Sequence, residues 1–296
     1  GFRHARAGGK HAQRGGADPF RFAPRSPRGI LFMTHPGKRD TIARARRGEA
    51  LSGTLFNLGS PDLCDAAAMC PLDFCVLDWE HGLWNELNLP PAIRVLEESP
   101  MLCIVRVPSV GGPWIKKALD WGADGVIVPG VKDFAEAQHC VAEGKYAPLG
   151  RRGVGPLRES RYYTRLHECV RQGNERTLLW LMIETSSLVE DLARVCALEG
   201  VDGFVIGRND LSQSLGRPFA EWRDQTEAMA MRAQEICVAA GKPVGSFGGT
   251  ADDVVRWAGA GATIFVVGDD AQFARDGMAA VAEMIGRQAA APVRGY

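Results

Sequence analysis

Two acidic side chains, Glu184 and Asp210, each follow a short apolar run, in the segments LMIETS and VIGRNDL. Carboxylate oxygens without accompanying thiols or paired histidines suit a hard cation such as Mg²⁺ or Mn²⁺, with Co²⁺ as a further option. Two protein ligands would leave positions for water and a chelating substrate. Each residue also has a plainer use: Asp210 as the N-cap of a helix opening at Leu211-Ser212, Glu184 as a salt-bridge partner.

His81 lies in FCVLDWEHG, beside Asp78 and Glu80. An imidazole near carboxylates titrates close to neutrality and can carry a proton either way; a satisfied structural histidine is the alternative. His139, in EAQHCV, and His167 have no comparable setting. Arg106 closes the apolar run LCIVR, where a guanidinium is costly unless paired. It could bind a substrate carboxylate or a developing enolate oxygen, or pair structurally with Asp78 or Glu80. Asp120, at the end of the next helix-like stretch, is either a surface residue or a partner that orients His81.

These groups can cooperate only if the fold gathers the ends of the runs. The short apolar runs are 53–58, 74–78, 102–107, 125–129, 178–184, 203–206, 243–247 and 263–267, eight in all. Runs this short and continuous suit strands buried on both faces of a parallel sheet. Helix-like stretches alternate with them: 61–69 after a Ser60 N-cap, 113–121, 187–198, 219–240 and 271–288. WGADGVIVP and AGAGATIFVV both read as helix end, glycine stop, strand. The α/β pattern predicts a (β/α)₈ TIM barrel, with an open doubly wound sheet as the rival. In a barrel the strand ends converge on one rim, where active sites form. The long segment 146–174, with RRGVGPLRESRYYTR, is expected at that rim as well. Its Gly153-Val154-Gly155 reads as a turn, with weak support for anion binding.

The 296 residues are enough for one barrel of residues 49–296, preceded by a basic extension of residues 1–48. Residues 1–50 hold 12 Lys/Arg against 3 Asp/Glu, while the whole chain is neutral. The Arg-, Gly- and Pro-rich stretch to about Lys38 is expected to be disordered. A transit peptide, a nucleic-acid arm or a start at Met33 would each account for it. The eight cysteines form no CxxC pair and lie in apolar segments, as buried thiols of a cytoplasmic protein would. No Walker motif, no G-x-S-x-G elbow and no membrane-length apolar stretch occurs. Neither nucleic acid nor membrane is an expected partner of the barrel.

The segments FCVLDWEHG, IVRVPSVGGPWIKKALDWGADGVIVPGV, YAPLGRRGVG, LMIET and GVDGFVIGRNDLSQSLG, in this order, resemble the HpcH/HpaI aldolase family. The similarity runs from about residue 51 to about 280. It implies a homohexamer with C-terminal helices exchanged between neighbours. It also implies a divalent metal on Glu184 and Asp210, His81 as catalytic base, Asp120 as the carboxylate that raises its basicity, and Arg106 as transition-state stabiliser. Asn209 matches a substrate-contacting position beside Asp210. Two departures stand out. Met182 replaces a common glutamine that would contact substrate, and Arg208-Asn209 replaces a common Pro-Ala, adding a cation near the rim.

The expected activity is cleavage of a 4-hydroxy-2-oxo acid to pyruvate and an aldehyde, through a metal-stabilised enolate. A Schiff-base aldolase would need a desolvated lysine, and only Lys132 stands near a strand end. The other rivals are an acyl-CoA lyase of the citrate lyase β-subunit type and a non-catalytic oxo-acid-binding barrel.

Overall fold

A strand buried on both faces sends alternate side chains to opposite sides, so eight such strands can enclose one core and be wrapped by a second. A computed structural model describes residues 37–216 and 223–289. Its strands are β1 (Leu51–Phe56), β2 (Phe74–Asp78), β3 (Leu102–Arg106), β4 (Gly125–Val128), β5 (Leu178–Ile183), β6 (Gly203–Ile206), β7 (Val244–Phe247) and β8 (Ile264–Asp269). All neighbours are parallel, and β8 closes on β1. The helices are α1 (Lys38–Arg46), α2 (Pro61–Ala67), α3 (Leu89–Glu97), α4 (Trp114–Asp120), α5 (Phe134–Gly144), α6 (Leu166–Arg176), α7 (Ser186–Cys196), α8 (Arg208–Ser214), α9 (Arg223–Ala239), α10 (Ala251–Gly259) and α11 (Asp270–Ala289). This is the predicted (β/α)₈ barrel rather than an open sheet. Every predicted strand is present within a few residues, and Ser60 caps α2 by accepting from Leu63 N–H at 3.2 Å.

Phe74, Val76, Ile104, Ile127, Trp180, Met182 and Val205 point into the barrel and form its inner core. Cys75, Leu77, Cys103, Val105, Leu181 and Ile206 point outward against the helices. Seven of the eight cysteines are buried, and all are free thiols.

Two expectations need correction. Residues 1–48 are not wholly a tail: 38–46 form α1, whose Ile42 and Ala45 join the inner core from below. The basic composition misled, because the cations have dedicated partners. Lys38 pairs with Asp124 (2.6 Å), Arg44 with Asp73 (2.6 Å) and Arg46 with Asp202 (2.8 Å). Each aspartate precedes a strand and also accepts a backbone N–H from the neighbouring strand, that of Cys103, Ser52 and Leu179 respectively. The rest of the predicted tail, residues 1–36, lies outside the described residues, as do 219–222 of the predicted 219–240 helix.

The long 146–165 loop follows helix α5, not strand β4, so it begins on the face opposite the strand C-termini. There Tyr146 N–H donates to Asn174 (2.8 Å), and buried Arg152 reaches Asp120 and Glu159. Length alone suggested the rim; the missing information was where α5 begins.

Candidate active site

The alternation of β2 and β3 decides what reaches the rim. Phe74 and Val76 point inward, so Asp78 does too; Leu102 and Ile104 do the same for Arg106. The β2–β3 register sets Asp78 opposite Arg106. Their side chains form a forked pair, Nε–Oδ1 2.8 Å and Nη2–Oδ2 2.7 Å, with Arg106 9% and Asp78 1% exposed. Nη1 stays out of this fork and reaches the weak acceptor Met182 Sδ at 3.9 Å. The guanidinium also lies 5.0 Å from the Phe247 ring centroid. Structural pairing, the plainer reading of Arg106, is therefore realised without using up its donors.

Beyond Asp78 the chain turns sharply, with Glu80 and His81 N–H both donating to Asp78 Oδ1 (3.2 and 3.3 Å). Gly82 permits the turn, since a Cβ there would meet Asp78 O at 2.4 Å. Glu80 Oε2 lies 3.4 Å from Arg106 Nε and 3.7 Å from His81 Nε2. The imidazole is 65% exposed, free to meet a substrate from above.

On β5 the same parity carries Trp180 and Met182 inward and then Glu184. Glu184 is buried and accepts the Gly130 N–H through Oε1. Gly207 leaves the space beside it, because a Cβ there would lie 3.0 Å from Glu184 Oε2 and 2.8 Å from Met182 Cε. Asn209 and Asp210 follow on the exposed first turn of α8. Burial first, then the charges of Glu80 and Asp210, push the Glu184 pKa up to about 7. Glu80 is likewise pushed up to about 7, by burial and then by Asp78 and Asp210, against the pull of Arg106.

Mutually repelling carboxylates in a half-dry site are an environment that a hard cation relieves. Among the described residues no three His, Cys, Asp or Glu side chains converge as a complete metal cage. Glu184 and Asp210 are the pair of carboxylates here that could hold a hard cation and still leave positions for water and substrate. On these grounds the residues present fit a divalent ion.

Asp120 is the one candidate that the chain does not bring to this cluster. It ends α4 and binds Arg152 at 2.7 Å, while burial raises its pKa despite that partner. Glu80, Gly130 and Phe247 were not singled out as site residues from the sequence. The inward parity of Asp78-Trp79-Glu80 and of Gly245-Ser246-Phe247 was the available signal for two of them.

The HpcH/HpaI aldolase/citrate lyase family profile matches residues 52–276. The chain belongs to the HpcH/HpaI aldolase/citrate lyase family. It is 31% identical to 4-hydroxy-2-oxovalerate aldolase of Novosphingobium aromaticivorans, over 69% of this chain and 78% of that one. It is 30% identical to 5-keto-4-deoxy-D-glucarate aldolase of Salmonella newport (strain SL254), over 72% and 83%. Among solved structures it is similar to the citrate synthase SbnG, with TM-score 0.75, 30% identity and coverage of 84% and 98%. As an HpcH/HpaI family member related to aldolases, the chain is a carbon–carbon lyase. No helix among the described residues is long and apolar enough to cross a membrane.

Proposed function

We propose that the chain is a divalent-metal-dependent pyruvate aldolase that cleaves a 4-hydroxy-2-oxo acid to pyruvate and an aldehyde. The observation that carries this reading is the juxtaposition of Glu80, Glu184 and Asp210, whose charges act on one another, with Glu80 and Glu184 also acting on Arg106. Glu184 and Asp210 would hold the ion, of the Mg²⁺, Mn²⁺ or Co²⁺ type. Once bound, it would supply Lewis-acid polarisation of the 2-oxo group. Arg106 Nη1 donates to the oxygen that gains charge as the bond breaks, and Asp78 keeps the fork aimed. His81, above the rim, takes the proton of the C4 hydroxyl. Asn209 and the Met182 wall bound the substrate; the thioether leaves Nη1 without a strong competing acceptor.

The aldolase relatives support the pyruvate half of this reading. The similarity to a citrate synthase supports a second reading, condensation or cleavage involving an acyl thioester. The deciding experiment follows pyruvate release from a panel of 4-hydroxy-2-oxo acids after chelation, with and without added Mg²⁺ or Mn²⁺. Metal-restored pyruvate release is expected. Activity only with acyl-CoA would favour the second reading, and borohydride trapping on Lys132 would overturn both.

Helix exchange into a homohexamer is part of the same proposal. Asp270 fastens the start of α11 by accepting the Asn57 and Leu58 N–H groups (2.7 and 3.0 Å). Beyond it, Met278, Val281 and Ile285 form an exposed apolar stripe at helical spacing. A neighbouring barrel is a suitable cover for that stripe.

A further inference from the structure

The cysteines take no part in the reaction as derived, and two of them stand apart from the rest. Cys196 ends α7 and Cys237 lies in the last turn of α9, with their sulfurs 3.9 Å apart where the two helices pack. Both are buried, yet each is followed at once by an exposed residue, Ala197 and Val238. Helix ends fray at low cost, so a small solute reaches this pair more readily than a thiol inside a strand. The two sulfurs also differ. The neighbouring Cys237 thiol first, and the charge of Lys242 after it, hold Cys196 below the ordinary thiol range against its burial. Cys196 and burial hold Cys237 above that range. One partner is set up as the attacking thiolate and the other as the resolving thiol. A second pair gives the contrast. Cys75 and Cys103 stand opposite each other in the β2–β3 register, fully buried within their strands. There Cys103 and then burial push Cys75 well above the ordinary range.

We propose that Cys196 and Cys237 are a modification site, a thiol pair that a hydroperoxide closes to a disulfide between α7 and α9. The Cys196 thiolate attacks the O–O bond and keeps one oxygen as a sulfenic acid. The alkoxide, or hydroxide from hydrogen peroxide, leaves with the proton that Cys196 had given up. The Cys237 sulfur then attacks the sulfenyl sulfur, and the hydroxyl departs with the Cys237 proton as water. Two thiols thus lose two electrons and two protons to one hydroperoxide. Bond formation brings the sulfurs from 3.9 Å to about 2 Å. The bridge joins the βα unit that carries Glu184 to the one that carries Asp210, at the end away from both. Oxidation should therefore tighten the fold.

The experiment uses the full chain with the exposed Cys70 replaced, Cys70→Ser, so that no crosslink forms between molecules through it. Treated with hydrogen peroxide, this protein should lose two hydrogens in its intact mass. Digestion without reductant should yield one joined peptide pair, linked through Cys196 and Cys237. The unfolding midpoint should rise by roughly 5–10 °C, the scale of a bridge between residues 41 apart in sequence. A dithiol reductant should reverse mass and midpoint together. Cys237→Ala in the same background should show neither change and should stop at a sulfenic acid on Cys196, trapped by a cyclic 1,3-diketone. No loss of two hydrogens at a peroxide dose that oxidises Cys70 in the parent chain, or a bridge through any other pair, overturns the proposal.

Discussion

Arg106 offers the sharpest test, because one guanidinium is asked to do two separable things. Its fork neutralises Asp78, and its remaining nitrogen, beside Met182 Sδ, is the one proposed to meet the reacting oxygen. Replacing it by glutamine leaves a carboxylate only 1% exposed without its counter-charge, and breaking a buried pair from one side costs about 3–5 kcal/mol. The same change removes one preorganised donor, worth about 10²–10³ in kcat. The double variant Asp78→Asn/Arg106→Gln removes the orphaned charge, so most of the stability should return while the rate does not. Arg106→Lys keeps a cation but lacks the fork, and should lose kcat at a smaller cost in stability. Denaturant unfolding and metal-saturated pyruvate release would be measured on all three proteins. If Arg106→Lys retains kcat within about threefold, or if the double variant recovers rate together with stability, Nη1 has no role in the chemistry.

The other expectations are simpler to state. Glu184→Gln and Asp210→Asn should each weaken Mn²⁺ binding in calorimetry by at least about tenfold and abolish the response to chelator. Protons compete for raised carboxylates, so Mn²⁺ affinity of the parent protein should fall as pH drops through about 7 and level off above it. An affinity flat from pH 5.5 to 8 (roughly a unit either side) would contradict that competition. His81→Ala should lower kcat by about 10²–10⁴ with little change in unfolding midpoint, since the ring is largely exposed. Met278→Asp with Ile285→Asp should reduce the mass seen by light scattering to that of a smaller assembly, as charge on the stripe opposes its burial.

Much of this architecture could be read from the sequence. Continuous apolar runs fixed the strands, and polar residues at the ends of four of the runs marked the rim. Parity then carried Asp78, Arg106 and Glu184 inward together, which is why the site residues on strands were legible. Asn209 and Asp210 were legible because they directly follow β6. What escaped depended on contacts between distant segments. Asp120 looked available until Arg152, from a loop beyond α5, was seen to hold it. Arg208 looked like an added rim charge; Trp257, Glu227 and Ser246 show it instead to be already stacked and paired. Glycines 130 and 207 act through a backbone N–H and through empty space, which no residue type announces.

The α1 helix has a practical consequence. Because Ile42 and Ala45 stopper the floor of the barrel, the folding unit begins upstream of its first strand. A shortened protein starting at Gly37 keeps the stopper and its three aspartate anchors. One starting at Leu51 exposes the lowest interior layer, Leu51, Leu102 and Leu178, to water, and forfeits about 1.5–3 kcal/mol for Ile42 alone. Truncation from the N-terminus must therefore stop short of that helix, and rim chemistry studied on a piece lacking it would be read through a leaking base.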